Sequence, residues 1–189
     1  MKGAEAAMEP SPRPTGVGAL GGPLAARVIA EAATLLEVAA QASGDAWDEA
    51  GGAAAQAASL RRRADELSGI DVEAHAAAVE LLRRRAELDP KRRDEEIARA
   101  LAEAATPPLA LAQLAGDVGL LAAEVAQRCD PDLRADAVTA CLLAGASARA
   151  ATHLVEVNLA VTPEDELLAE ARASASAARA AAERALGGS

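Results

Sequence analysis

Asp71 and His75 are the two residues whose types and spacing best suit acid–base chemistry. They stand in residues 69–83, GIDVEAHAAAVELLR, where an apolar helix is expected to begin. Residues four apart share a helix face, so the carboxylate and the imidazole would be neighbours, while Glu73 would point elsewhere. Such a carboxylate can orient the imidazole or move a proton itself. The structural alternative is that Asp71, a preferred N-cap type, only caps the helix and His75 packs at its boundary.

A second set of polar residues lies in residues 129–165, CDPDLRADAVTACLLAGASARAATHLVEVNLAVTPED. This segment is predicted to be one helix of mostly Ala, Leu, Val and Thr, which must be buried on most sides. Three polar side chains within it, Asp136, His153 and Asn158, are costly unless they are paired or used. They either satisfy buried backbone groups or line a pocket.

The same segment resembles the cyclodeaminase/cyclohydrolase family, the C-terminal half of formiminotransferase-cyclodeaminase and its free-standing bacterial relatives. The family pattern of D-A, an Ala/Leu-rich run and N-V-x-I-N-L lies without a gap over Asp136-Ala137 through residues 154–159. The resemblance implies that Asp136 and Asn158 belong to a ligand pocket. A second family asparagine falls on Leu154, and His153 beside it points about 100° away on a helix.

The resemblance extends to the first segment. In the family a D-x-x-A-(Y or F) motif opens a helix, and its aspartate is taken as the catalytic acid/base. Here the motif reads Asp71-Val72-Glu73-Ala74-His75, with a histidine in the aromatic position. The resemblance therefore implies a catalytic Asp71. His75 either substitutes functionally in catalysis or only fills the space of the ring.

Two family features are altered in this chain. The family has a glycine-rich turn before its first helix, and here Gly16, Gly18, Gly21 and Gly22 follow Arg13-Pro14-Thr15, which replaces a block of three glycines. Either Gly16 and Gly18 form a ligand-binding loop of another shape or the pocket has changed, because prolines forbid the positive φ that glycines allow. The family's lysine patch, suited to the glutamate tail of folate, is replaced by the acidic residues 44–49, which would repel that tail. Arg61, Arg62 and Arg63 are read as a solvated face.

The elements that must position these residues are helices. Ala, Leu and Val dominate, Phe and Tyr are absent, there is one Trp, and strict β-type alternation is missing. The sequence predicts an all-α antiparallel bundle of about six to seven helices. An N-cap residue followed by proline, which costs nothing at a helix start, marks four of the predicted starts. The predicted helices run from about 22 to 43, 45 to 67, 71 to 88, 89 to 105, 106 to 127, 130 to 158 and 163 to 186.

Residues 15–186 are predicted to be a single domain, preceded by a disordered or extended arm (1–14) and followed by a flexible tail (187–189). The net charge of −10 argues against nucleic acid or an anionic membrane as a partner. No signal peptide or membrane span is expected. Cys129 and Cys141 are expected to be free thiols in a reducing cytoplasm rather than metal ligands.

The resemblance also implies a homodimer and activity on a folate one-carbon unit. The reaction would be 5,10-methenyltetrahydrofolate hydrolysis, or 5-formiminotetrahydrofolate cyclisation with release of ammonia. The resemblance implies no metal or redox cofactor, and the folate is the substrate. The altered loop and lysine patch support a second hypothesis, a diverged helical dimer that lost folate chemistry and binds or converts another small molecule. A third is a purely structural helical interaction module.

Overall fold

The computed structural model describes residues 20–45, 47–159 and 166–187. These residues form five α-helices and no strand: α1 Gly21–Ala42, α2 Ala50–Arg83, α3 Arg93–Arg128, α4 Arg134–Asn158 and α5 Glu166–Gly187. One turn of 3-10 helix, Pro131–Leu133, precedes α4. The all-α prediction is confirmed, but the predicted count of six to seven helices is wrong for this part of the chain. The predicted start at Thr162-Pro163 and the arm 1–14 lie outside the described residues.

Helix α2 runs without interruption through Gly69, where the sequence predicts a break. A glycine inside a helix costs only about 1 kcal/mol relative to alanine, which the packing of a long helix readily outweighs. Asp71 is therefore an interior residue of α2 and not the N-cap of a new helix. This correction decides which way its side chain faces.

Helix α3 likewise runs through Pro107 and Pro108, where a new helix was expected to start. Proline has no N–H, so Pro108 cannot donate to the carbonyl of Ala104 four residues earlier. The side-chain amide of Asn158 on α4 donates to that carbonyl instead, at 2.8 Å. Part of the cost of the proline pair is thus compensated by another helix.

The aspartate–proline junctions behave as local caps. Asp130 Oδ1 accepts from the N–H of Asp132 at 2.9 Å, and the 3-10 turn leads into α4. Asp89 Oδ1 accepts from the N–H of Lys91 at 3.0 Å, but α3 begins only at Arg93. At the first junction a helical turn begins at Pro131, as predicted. At the second, α3 begins three residues after Pro90, the predicted first helical residue.

Helix α3 is the central element, because it contacts each of the other four helices. The core is built from alanine, with larger residues such as Ile29, Leu36 and Leu111 fully buried. Trp47, in the connection between α1 and α2, is also buried, and the Arg128 guanidinium lies 5.7 Å from its ring centroid. By length and composition alone, Arg93–Arg128 and Pro131–Asn158 could cross a membrane. Core helices pass the same test, so this is a weak indication of a span.

Candidate functional site

Asp71 is the one buried carboxylate among the described residues, with 5% of its surface exposed. The uninterrupted path of α2 turns its side chain towards α1, where the carboxylate lies directly against the first helical turn. A Cβ placed on Gly22 would overlap the carboxylate of Asp71. Only glycine fits at position 22 while Asp71 keeps this position.

His75 follows Asp71 by one helical turn and is half-buried. Burial raises the pKa of the Asp71 carboxyl above its ordinary value of 3.8, and the charge of His75 lowers it in part. The structure therefore brings the two predicted catalytic residues together. A buried carboxyl with a raised pKa beside an imidazole is a pair that can hold and release a proton.

A groove of about 380 Å³ between α2 and α3 begins one turn beyond Asp71. Ala74 and Ala78 share the face of α2 that carries Asp71, since they follow it by three and seven residues. The groove has an alanine-rich wall from α2 and a charged wall from α3. Its lining residues are Ala74, Ala77, Ala78, Leu81, Glu96, Arg99, Ala100 and Glu103.

Asn158 and Leu154, on the last turns of α4, lie at the same end of the bundle as Asp71. Leu154 Cδ2 would be 3.2 Å from a Cβ at Gly21, so this leucine packs on the start of α1. Asn158 is half-buried, and its side-chain amide donates a hydrogen bond to the Ala104 carbonyl. The described contacts give Asn158 a structural role, and its predicted ligand-binding role stays a prediction.

Asp136 is not brought to this end of the bundle. It is exposed in the first turn of α4, a position that the helix dipole favours for an acid. Asn158 ends the same helix 22 residues later, which places the two residues about 33 Å apart along the axis. Within one copy of the chain, Asp136 and Asn158 cannot share a small-molecule pocket.

His153 is exposed and faces a different groove, of about 630 Å³, between α4 and α5. Its Nδ1 is 3.6 Å from Glu156 Oε2. Arg172 donates to Glu156 at 2.9 Å, and this hydrogen bond lowers the pKa of the Glu156 carboxyl. His153 therefore does not replace the family asparagine at position 154.

The remaining predicted groups lie apart from Asp71 or outside the description. Gly16 and Gly18 are not among the described residues. Arg61 pairs with Glu37 at 3.3 Å, while Arg62 and Arg63 are exposed. None of the described residues forms a group of three or more potential metal ligands.

Both cysteines are free thiols in this structure. Cys141 is buried and donates to the Gly119 carbonyl at 3.3 Å. Burial raises the pKa of the Cys129 and Cys141 thiols, so both are poor nucleophiles at neutral pH.

Sequence reasoning missed the α3 side of the site, Arg99 and Glu103. The predicted break at Thr106-Pro107 separated these residues from the core part of α3. Asp136 could have been set aside from the sequence, because a single helix over 130–158 already implies its distance from Asn158.

Comparison with known proteins relates most of the chain to one family. A family profile described as formiminotransferase-cyclodeaminase matches residues 4–181. Among solved structures, the formiminotetrahydrofolate cyclodeaminase of Thermotoga maritima shares the fold with a TM-score of 0.75 and 20% sequence identity. The match covers 87% of this chain and 84% of the Thermotoga chain. No curated protein sequence gives a significant match.

Proposed function

The chain belongs to the formiminotransferase-cyclodeaminase family, and from this premise we propose that it is an enzyme acting on a folate one-carbon unit. The reaction is hydrolysis of the methenyl bridge of 5,10-methenyltetrahydrofolate, or cyclisation of 5-formiminotetrahydrofolate with release of ammonia. The observation that carries the proposal is Asp71, a buried carboxylate beside His75 and the backbone of Gly22. The groove along α2 and α3 offers an adjoining surface for the substrate.

In the hydrolysis, water adds to the carbon that bridges two folate nitrogens. Asp71 takes one proton from the attacking water as the C–O bond forms, giving a tetrahedral carbon. The same carboxyl then returns the proton to one nitrogen as its C–N bond breaks. The hydroxyl on the tetrahedral carbon loses its proton to solvent as its C–O bond becomes the C=O of a formyl group on the other nitrogen. The cationic methenyl bridge and water thus give the formyl product and one proton, and the carboxylate is regenerated.

In the cyclisation, the second folate nitrogen attacks the carbon of the protonated formimino group, whose C=N bond becomes a C–N bond to a neutral amino group on a tetrahedral carbon. Asp71 accepts the proton released by the attacking nitrogen and gives it to the departing amino group. The C–N bond to that group breaks and ammonia leaves. Neither reaction oxidises or reduces the substrate, so the proposal needs no redox cofactor.

The raised pKa of Asp71 supports both roles. An acid–base group is most effective when its pKa approaches the working pH, and burial moves the Asp71 carboxyl in that direction. His75 is close enough to stabilise the ionised carboxylate after each proton transfer. In this proposal Asp71 is the catalytic acid/base and His75 is the neighbouring side chain that assists it.

The competing function is a diverged bundle that binds or converts another small molecule. Leu154 replaces a family asparagine and packs against Gly21, which removes an amide from this end of the bundle. Glu96 and Glu103 in the groove would repel a folate glutamate tail, and Arg99 is the one cation among its lining residues. These features favour a smaller or less anionic ligand than a folate.

The test is a direct assay of both reactions on the full chain. Decay of 5,10-methenyltetrahydrofolate is followed by its ultraviolet absorbance against a protein-free blank, and ammonia release is measured with 5-formiminotetrahydrofolate. We expect catalysis above the spontaneous rate, and a loss of about 10²–10⁴-fold in Asp71→Asn, the range for removing a general acid–base group.

Asp65→Asn is the matched control, because Asp65 lies on the same helix and is exposed. It should keep the full rate. A chain that never exceeds the spontaneous rate in either assay would favour the diverged-bundle function. An unchanged rate in Asp71→Asn would remove Asp71 from the mechanism while leaving the family reaction in place.

A further inference from the structure

The groove of about 630 Å³ between α4 and α5 lies apart from Asp71. Its α4 wall is not the face of α4 that packs on α1. Leu154 lies against Gly21 of α1, whereas His153, one residue earlier, lines the groove. Neighbouring residues on a helix point about 100° apart, so the two faces of α4 are distinct. The volume is in the range of small-molecule sites, which makes the groove a second candidate binding site.

Small apolar side chains form much of the surface of this groove. Ala146 and Ala150 on α4 and Ala175 on α5 line it. Alanine has no rotamers to lose, so this surface is already ordered before a ligand binds. Thr152 lies between the two helices, is only 7% exposed, and donates to the Ala171 carbonyl of α5 at 3.0 Å. The floor of the groove is thus fixed, and its apolar surface can hold the body of a small molecule.

The surface around the groove is basic, although the chain as a whole is acidic. The chain has 29 acidic residues and 19 lysines and arginines. Yet residues 137–155 of α4 and 171–182 of α5 contain no Asp or Glu, and they carry three arginines and one histidine. The lining has two arginines and one glutamate. The groove between α2 and α3 has the opposite balance, two glutamates and one arginine. The α4–α5 groove is therefore the one suited to an anion.

Both walls of the groove carry guanidinium donors that are not fully used. On α5, Arg172 directs Nε at 3.3 Å and Nη2 at 2.9 Å to one oxygen, Oε1 of Glu156. Its third nitrogen, Nη1, has no partner among the described residues. Arg149, on the α4 wall, forms no ion pair with the described part of the chain, so its five N–H donors are available. Glu156 is held at one end of the groove by Arg172 and by His153, whose Nδ1 is 3.6 Å from Oε2.

We propose that this groove binds a small molecule through a phosphate group, with the rest of the molecule on the alanine surface. Arg149 and Arg172 hold the phosphate from the two walls by charge-assisted hydrogen bonds. The oxygens of a phosphate point in tetrahedral directions and can accept from both walls at once, whereas a carboxylate accepts in one plane. Two guanidinium groups also match the charge of a phosphate monoester, about −1.5 to −2 at neutral pH.

Glu156 tunes the affinity of this site. Its carboxylate occupies two nitrogens of Arg172 and adds a negative charge to the lining, so it competes with the phosphate. Glutamine at this position keeps the shape of the side chain and removes the charge. Loss of an arginine and loss of Glu156 should therefore change the affinity in opposite directions.

The experiment is isothermal titration calorimetry of the full chain with glycerol 3-phosphate, at low ionic strength because salt screens exposed charges. Inorganic phosphate and succinate are the comparison ligands. We expect saturable binding of both phosphates at one site and weaker binding of succinate. Arg149→Gln and Arg172→Gln should each weaken the binding of glycerol 3-phosphate by about tenfold or more. Glu156→Gln should strengthen it by about two- to fivefold, the range expected on removing an exposed ion pair.

Two controls make the same charge changes away from the groove lining. Arg27→Gln removes an exposed arginine of α1. Glu183→Gln removes the acceptor of Arg179, a matched exposed ion pair on α5 at 2.7 Å. Both variants should bind glycerol 3-phosphate as the unmodified chain does. Circular dichroism confirms that each variant is folded.

The basic residues 83–93, between α2 and α3, are the competing place for an anion to bind. Arg84→Gln with Arg85→Gln should leave the affinity unchanged. The proposal is overturned by absence of saturable binding, by succinate binding as tightly as glycerol 3-phosphate, or by a loss of binding in this double variant in place of the groove variants. Asp71→Asn should bind as the unmodified chain does, so the outcome is independent of the proposed enzymatic function.

Discussion

The carboxylate of Asp71 is held in a place where its charge is unfavourable. It is buried, it lies against the backbone of Gly22, and the partial compensation from His75 does not prevent its pKa from rising. A group with this placement lowers the stability of the folded chain when it is ionised. A side chain that costs stability in this way is expected to be present because it takes part in the chemistry of the site.

Replacing Asp71 by asparagine should therefore stabilise the protein at neutral pH. The folded-state pKa lies above the unfolded value of about 3.8, so the cost of the charge is absent below that value. The destabilisation by the buried charge grows as the pH rises from the unfolded-state pKa through the folded-state pKa, and it is constant at higher pH. Thermal melts of Asp71→Asn should show a higher Tm than the parent at pH 7, and this difference should vanish on acidification towards pH 3.8. Asp65→Asn should show no such trend, and a lower Tm for Asp71→Asn at pH 7 would contradict the burial argument.

Gly22→Ala tests the contact between Gly22 and Asp71 by changing the glycine instead of the aspartate. The new methyl group would overlap the Asp71 carboxylate, so urea unfolding should show a loss of about 1–3 kcal/mol, as for other overpacked sites. In an Asp71→Ala background the loss should shrink, because the overlapping atoms are gone. Gly69→Ala on α2 has nothing within 4 Å of the new methyl group and should instead stabilise by about 0.5–1 kcal/mol. Equal effects of the two glycine substitutions would refute the contact.

At the scale of elements, the packing of α4 against α3 includes a hydrogen bond that compensates for a proline. Asn158 supplies the Ala104 carbonyl with the donor that Pro108 lacks, although it lies 54 residues from Ala104 along the chain. Buried or half-buried carbonyls without a partner are costly, so this bond stabilises the continuous α3. It also fixes the last turn of α4 beside the helix that carries Arg99 and Glu103.

A double-mutant cycle separates this role from a role in ligand binding. Asn158→Ala should cost about 1–3 kcal/mol in the parent chain, because the Ala104 carbonyl loses its partner. In a Pro108→Ala background the restored N–H can donate to Ala104, so the cost of Asn158→Ala should be smaller. Chemical denaturation measures both values. Pro107→Ala is the matched control: it frees a donor for the carbonyl of Glu103, not Ala104, and should leave the cost unchanged.

The helix ends in this part of the chain show which features could be predicted from the sequence and which could not. The Asp130-Pro131 junction was predicted correctly because its cap is local, a bond between residues two apart. The break at Pro107-Pro108 was predicted wrongly because the compensation comes from a distant helix. Asp71 was predicted to be a site residue from its type and motif, but its place inside α2 depended on whether Gly69 ends a helix. That question is decided by packing against α1 and α3, which a single sequence does not display.

At the scale of the whole molecule, the protein has a well-packed body and a weakly packed helical hairpin, residues 72–103, in which Ala78 is the only buried residue. Local stability follows buried contacts, so the two regions should open independently. In hydrogen exchange of dilute protein, amides of residues 93–101 should exchange much faster than those of 111–125, although both belong to α3. Uniform protection along α3 in dilute solution would contradict the division.

Trp47 is an intrinsic fluorescence probe at the end of the bundle far from Asp71. With no tyrosine in the chain, this buried indole beneath Arg128 is the dominant intrinsic fluorophore, and it sits beyond the C-terminal end of α1. Asp71 lies against Gly22, at the opposite end of that helix. The helix axis from Gly22 to Ala42 is about 30 Å long. A ligand at Asp71 therefore cannot quench Trp47 by contact. A spectral shift of the indole on adding a ligand that does not absorb in its emission range would report communication through the length of the bundle.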